Sequence, residues 1–264
     1  MKQKITKIAI FMSALLALGG CRGNMADGFV SNVELEGYEY DVIGELPDSL
    51  AMPETVEGGR YVRLSGLGVL PRNIGRLVHE SVRDSLLKLG GIADVDRSGA
   101  QPRVQEGIRL TDLDPKTTAA CSSSSRTLTV ALVTPRLIVW RAYAYAYLGG
   151  GAHGMYSTRF LNYSITKGKI LGLDDLFKED FETELAGMIR EKLQEEEVQL
   201  SVDLQDVNVS PIFEITPTGL RFLYPLYEIA PYYEGEVTVE IPTYELEDLL
   251  RPGVEEMLSG VTAD

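Results

Sequence analysis

From Trp140 to Tyr147 the chain reads Trp-Arg-Ala-Tyr-Ala-Tyr-Ala-Tyr. On an extended strand alternate side chains point to opposite faces. One face then carries Trp140 with Ala142, Ala144 and Ala146. The other carries Arg141, Tyr143, Tyr145 and Tyr147. A row of tyrosines offers flat, amphipathic area with hydroxyls, a surface that suits sugars and protein partners. Tyrosine is also a good strand residue in its own right. Gly149-Gly150-Gly151-Ala152-His153-Gly154 follows directly. Glycines there let the backbone adopt positive φ and approach another group, so Gly150 and Gly151 join His153 as ligand-binding candidates. The run lacks the Gly-Lys-Ser/Thr ending of a phosphate loop. His153 as a general base requires an orienting carboxylate, and none adjoins it in sequence. As a zinc ligand it requires further His or Cys, of which the chain has two each. No metal and no cofactor is expected.

A second candidate edge lies between Thr218 and Gly235. Pro225 and Pro231 interrupt any regular ladder there. Between them stand Tyr227 and Glu228, with Tyr232 just beyond, an aromatic connection with one acid in its middle. Nucleophile motifs are poor by comparison. Ser85-Leu86-Leu87-Lys88 fits S-x-x-K, but the apolar periodicity puts Ser85 on a buried stripe, and neither S-D-N nor K-T-G follows. Cys121 precedes four serines and has no His or Asp beside it, so an inert thiol is expected. His79 falls just off an apolar stripe and reads as a boundary residue.

The elements that must hold these groups follow from periodicity. Val33–Glu36, Tyr38–Val42 and Tyr61–Ser65 alternate as strands do, the last stopping at Gly66. Ile74, Leu77, Val78, Val82, Ser85, Leu86 and Leu89 fall on one helical stripe, with Asn73 as cap and Gly90-Gly91 as stop. Residues 93–125 are rich in Gly, Pro, Ser, Thr and Asp and read as a long excursion with a boundary at its end. Strands are expected at Arg126–Val133, Arg136–Leu148 and Met155–Ile165, with a turn at Lys167-Gly168 before Lys169–Leu171. Asp180 can cap a helix bearing Phe181, Leu185, Met188, Ile189 and Leu193 on one face. Ile212–Thr216, Leu220–Tyr224 and Glu236–Ile241 complete the strands. Thr243 can cap a last helix, Tyr244–Leu250, stopped by Pro252-Gly253. Strands paired through turns, with helices inserted in blocks, give an α+β fold with antiparallel sheets, a few packed helices and two sub-domains.

The N-terminus reads as an address. Lys2, Lys4 and Lys7 precede the apolar run Ile8–Leu18, too short to span a bilayer and arranged as a secretory signal. Leu18-Gly19-Gly20-Cys21 resembles the bacterial lipobox, which implies cleavage before Cys21 and its acylation. Several acyl chains, at about 0.8 kcal/mol per buried CH₂, would make release negligible. The expected organisation is a signal peptide over 1–20, lipidated Cys21 and tether over 21–32, one sub-domain over 33–125 and another over 126–264. The chain carries 25 basic and 39 acidic residues, net −14. Losing the three leader lysines leaves 22 against 39, net −17. That charge argues against nucleic acid and favours cationic partners.

Gly-Gly-Ala-His-Gly after a tyrosine-rich strand, then Asn162-Tyr163, Gly168-Lys169 and Leu173-Asp174-Asp175-Leu176-Phe177, resembles the C-terminal domain of RsiV-type proteins. Gly219-Leu220 through Tyr224, Tyr227-Glu228-Ile229-Ala230-Pro231-Tyr232 to Gly235, and Ile241-Pro242 are similar to that family's closing segment. The likeness covers roughly residues 126–250, with a weaker one over Tyr38 to about Leu110. It implies a domain of unknown function. One branch of that family is the outer part of an anti-sigma factor that senses lysozyme, and another precedes a peptidoglycan deacetylase. This chain reads instead like the family's stand-alone lipoproteins.

These readings converge on a non-catalytic binding module of the bacterial cell envelope. Its attachment to the membrane, with the outer membrane expected, runs through the lipid anchor alone. The ligand classes are lysozyme-like basic proteins or peptidoglycan, and the binding candidates are Tyr143, Tyr145, Tyr147, Gly150, Gly151, His153, Tyr227, Glu228 and Tyr232. One alternative is an envelope hydrolase of glycan or peptide with His153 and Glu228 as acid and base. Another is an envelope scaffold lipoprotein with no small ligand.

Overall fold

The computed structural model describes residues 35–45, 61–71, 92–95, 102–104, 121–148 and 152–259, together with positions 78, 82, 83, 85, 86 and 89. The leader, Cys21, the tether, His79 and Gly149–Gly151 lie outside the described residues. The described strands form three sheets. Strands β1 (Leu35–Glu45), β2 (Tyr61–Pro71), β5 (Cys121–Val133), β6 (Leu137–Leu148), β7 (Met155–Ser164) and β8 (Lys169–Ile170) make a six-stranded sheet in the order β1-β2-β5-β6-β7-β8. Strands β9 (Phe213–Ile215), β10 (Gly219–Tyr224) and β11 (Val237–Pro242) make a second, and β3 (Ile92–Val95) with β4 (Pro102–Val104) a small third. Among the described residues Val82, Arg83, Ser85, Leu86 and Leu89 are helical, and continuous helices run as α1 (Glu182–Glu195), α2 (Thr243–Leu246) and α3 (Val254–Ser259). The fold is α+β with antiparallel sheets, and one pair departs from that rule: β2 and β5 run parallel. Residues 72–120 separate these two strands, ample length for the crossover that a parallel pair requires.

The chain divides into two compact units, one of residues 1–129 and 142–156, the other of 130–141 and 157–264. The linear division at 125/126 is a different partition, because residues 142–156 group with the N-terminal part. Several boundaries also shift. Two short expected strands merge into β1, and β2 continues through Gly66 and Gly68, both buried, to Pro71. The serine run after Cys121 is strand, not excursion. Ser85 is exposed, while Val78, Val82 and Leu86 are buried. Ile74 and Leu77 of the expected stripe lie outside the described residues, Leu89 is half-buried, and the serine is not on the buried face.

The core of the second unit joins α1 to the three-stranded sheet. Phe181, Leu185, Ile189 and Leu193 recur at helical spacing on α1 and are buried. They belong to one cluster with Phe213, Ile215, Leu220, Phe222, Val237, Val239 and Ile241, and with Leu137 and Val139 of β6. Each such side chain contributes about 1.5–3 kcal/mol on burial. Phe181, not Asp180, is the helix N-cap, and Asp180 takes a left-handed φ of 61° just before it. Thr243 is the first residue of α2 rather than its cap; Pro242 holds that position in extended geometry and α2 ends at Leu246. Gly219 is required by packing, since a Cβ there would run into the Ile241 carbonyl of β11.

Candidate functional site

Strand β6 is buried on both faces from Leu137 to Trp140, and positions 144–147 are all half-buried, so inside and outside separate only around Arg141–Tyr143. Trp140 and Ala142 are buried, while Arg141 is half-buried and Tyr143 is 37% exposed. The face that begins with the core residues Leu137 and Val139 thus continues outward through Arg141, Tyr143, Tyr145 and Tyr147. Tyr143 lies against Tyr156 of β7 with ring centroids 5.9 Å apart. Tyr145 and Tyr147 are half-buried.

Gly154 explains one glycine of the loop. It is buried, and a Cβ added to it would run into the ring and hydroxyl of Tyr145. Its φ is not in the left-handed region. The glycine at 154 is therefore needed for close approach of the backbone to a tyrosine, rather than for conformational freedom. His153 is exposed, and its Nδ1 lies 3.1 Å from the carbonyl oxygen of Gly154. His153 sits in the first unit and Glu228 in the second.

The aromatic connection is built within the second unit. Tyr224 ends β10 with its ring buried and donates its hydroxyl to the Asn208 carbonyl at 2.6 Å. Burial pushes its phenol well above the ordinary value. Pro225 breaks the strand, the Glu228 amide donates to the Pro225 carbonyl at 3.1 Å, and Tyr227 between them takes a left-handed φ of 66°. A non-glycine residue there is strained by about 1–3 kcal/mol and persists because its surroundings over-determine it. Ile229 and Ala230 supply that constraint: both are buried, and the Ile229 carbonyl accepts from Ser201 N–H at 2.8 Å. The loop then returns through the turn Tyr232–Glu234, closed by Gly235 at φ 78°. Tyr227 and Tyr232 meet with centroids 5.6 Å apart, while Tyr227 and Tyr233 are 54% and 76% exposed and Glu228 is exposed. Tyr227, Glu228 and Tyr232 are thus brought together on one edge.

Sequence reasoning missed a charged ladder across the second sheet. Glu214 of β9 faces Arg221 of β10, which faces Glu240 of β11. Arg141 of β6 donates to both oxygens of Glu214, at 2.8 and 2.7 Å. Arg221 donates to Glu214 at 3.0 Å and to Glu240 at 2.9 Å. Glu214 is buried and so requires such partners. Thr218 donates to Glu240 at 2.6 Å, and that bond holds the Glu240 carboxyl below its ordinary value, against the opposing effect of burial and with further help from Arg221. Arg141 also stands 5.7 Å over the Phe160 ring. The available signal was the acid itself, set between Phe213 and Ile215 in a short apolar strand.

Asn162, part of the quoted resemblance, has a specific task. It is buried, its amide nitrogen donates to the Phe213 carbonyl at 2.8 Å, and its oxygen accepts from Ile215 N–H at 2.9 Å. A side chain here completes the edge of β9 as another strand would. Asp174 and Asp175 serve a clamp. Asp175 accepts from Lys169 at 2.6 Å and from Gly172 N–H at 3.1 Å, and these contacts hold it below the ordinary carboxylate value although burial acts the other way. Arg251 donates to the Asp174 carbonyl and its N–H to Leu176. Among the described residues there is no group of three or more His, Cys, Asp or Glu able to hold a metal, and no helix long and apolar enough to cross a membrane.

Comparison with known proteins yields a fold and a match to one domain model. No curated protein matches the chain. The chain is similar to the crystal structure of a member of the DUF3298 family from Bacteroides fragilis NCTC 9343, with TM-score 0.61 and 20% identity over 88% of this chain and 98% of that one. It is also similar to a DUF3298 family protein from Pseudomonas aeruginosa PAO1, with TM-score 0.55 and 18% identity over 83% and 96%. Residues 174–244, which include Asp174 and Asp175, helix α1, Glu214, Arg221 and Glu240 of the ladder and the aromatic loop, match the family model described as "Protein of unknown function (DUF3298)".

Proposed function

We propose that the protein is a cell-envelope lipoprotein, anchored through Cys21, that acts as a non-catalytic binding module for a lysozyme-like basic protein or for peptidoglycan. The observation that carries this reading is the loop Tyr224–Gly235. Exposed Tyr227 and Tyr233 flank an exposed acid, on a backbone fixed by a left-handed residue and by buried Ile229 and Ala230. Rigid aromatics lose little entropy on binding and form the anchors of many interfaces. The net charge of −14 favours a cationic partner, and the resemblance to the RsiV-type domain supports the same ligand classes. The lipobox-like run ending at Cys21 supports the anchor.

The experiment is incubation of the mature protein with muropeptides, followed by titration and product analysis. Saturable binding without new products, weakened by Tyr227→Ala, is expected. Cleavage products that vanish with His153→Ala or Glu228→Gln would establish the hydrolase instead. For the anchor, Cys21→Ser is expected to move the protein from the membrane to the soluble fraction; a variant that stays membrane-bound after a high-salt wash would overturn it.

A further inference from the structure

Open strand edges attract other strands, and proteins block them with short edges, Pro, Lys or covering groups. The second unit does so repeatedly. Strand β8 pairs with only Tyr163 and Ser164 of β7. Further along β7, Glu236 occupies the Thr158 backbone N–H at 2.7 Å and its hydroxyl at 2.6 Å. Asn162 fills the edge of β9, and Pro242 ends β11 without an N–H to offer.

Strand β1 in the first unit is different. It closes the order of the six-stranded sheet and pairs with β2 antiparallel along all eleven residues, Leu35↔Pro71 to Glu45↔Tyr61. No described strand pairs with its outer edge. Its sequence, Leu-Glu-Gly-Tyr-Glu-Tyr-Asp-Val-Ile-Gly-Glu, contains neither Pro nor Lys and holds the acids Glu36, Glu39, Asp41 and Glu45 with no base.

We propose that the outer edge of β1 receives an extended basic segment of a protein partner as an added strand, main-chain hydrogen bonds giving the grip and the acids of the strand selecting lysine- or arginine-rich sequence. A second copy of this chain is the wrong occupant, because β1 against β1 would oppose acids to acids. The inference rests on the reading of the ligand as a basic protein, and it assigns that ligand's contact to a main-chain edge.

The test uses the mature full-length protein and a synthetic peptide of about nine residues alternating lysine and valine, a length that matches a strand. A control peptide of the same sequence carries N-methyl groups on its amides, keeping the charge and losing the donors. The parent peptide is expected to bind at least about tenfold more tightly than the methylated one. Amide hydrogen exchange is expected to slow at alternate residues within 35–45. Equal affinity of the two peptides, no binding of the parent, or unchanged exchange in 35–45 overturns the proposal. Exchange is read in parallel with a lysozyme as ligand. Lysozyme binding without protection of β1 removes this inference and leaves the binding-module reading standing. Protection of β1 by the peptide with no lysozyme binding does the reverse.

Discussion

Glu214 is 2% exposed, and the side chains of its two partners are not: Arg141 is 42% exposed and Arg221 32%. That asymmetry makes a directional prediction. Glu214→Gln leaves two guanidiniums that can still reach water, so the loss is that of three charge-assisted bonds partly replaced by solvent, about 2 kcal/mol. Arg141→Met with Arg221→Met strands a carboxylate inside the protein, and breaking a buried pair in that way costs about 3–5 kcal/mol. Replacing all three residues by Met, Leu and Met should be closer to neutral than either, because the desolvation cost disappears with the charges. The assay is urea unfolding followed by fluorescence of Trp140, the single tryptophan, which is buried on β6 next to Arg141 and belongs to the second unit. A double arginine variant that loses less stability than Glu214→Gln would refute the assignment of the ladder as support for a buried acid.

Three further outcomes follow from the same geometry. Asn162→Leu should cost about 2–4 kcal/mol in urea unfolding, since it leaves the Phe213 carbonyl and the Ile215 N–H buried without partners. Gly154→Ala should cost about 1–3 kcal/mol through collision with Tyr145, and a Tyr145→Ala background should remove most of that penalty in a double-mutant cycle. Glu240 is held below its ordinary value of 4.5 in the folded state, so its contribution is complete above that pH and is lost as pH falls through the depressed folded value. Thr218→Ala should therefore narrow the stability difference between about pH 6 and about pH 2.5, and an unchanged difference would contradict the assigned bond.

The elements were legible where burial imposes one period. Phe181 at the cap of α1 and the α1 residues at positions 185, 189 and 193 are all buried, and on β6 Ala142 stays buried where Tyr143 emerges. Boundaries failed where one residue obeys a local rule that tertiary structure overrides. Asp180 is a good cap by type but adopts a left-handed turn one position early, and Gly66 reads as a stop but lies buried within β2. The parallel β2–β5 pair joins segments far apart in sequence, and no local pattern encodes it. The tyrosine face and the Tyr227–Tyr232 loop could be read from aromatic type and flanking prolines. The ladder could not, because Arg141, Glu214, Arg221 and Glu240 meet only through strand register and through the approach of β6.

The central claim is most directly tested by kinetics of a lysozyme on immobilised mature protein at two salt concentrations, beside an equally basic unrelated protein. Exposed charges are screened beyond about 8 Å at physiological ionic strength, so raising salt should slow association. Loss of aromatic contact in Tyr227→Ala or Tyr143→Ala should instead speed dissociation. The account predicts saturable binding of the lysozyme but not of the control, with those separate effects on the two rates. Equal binding of both proteins, insensitive to either tyrosine, would contradict it and leave only non-specific attraction to an acidic surface.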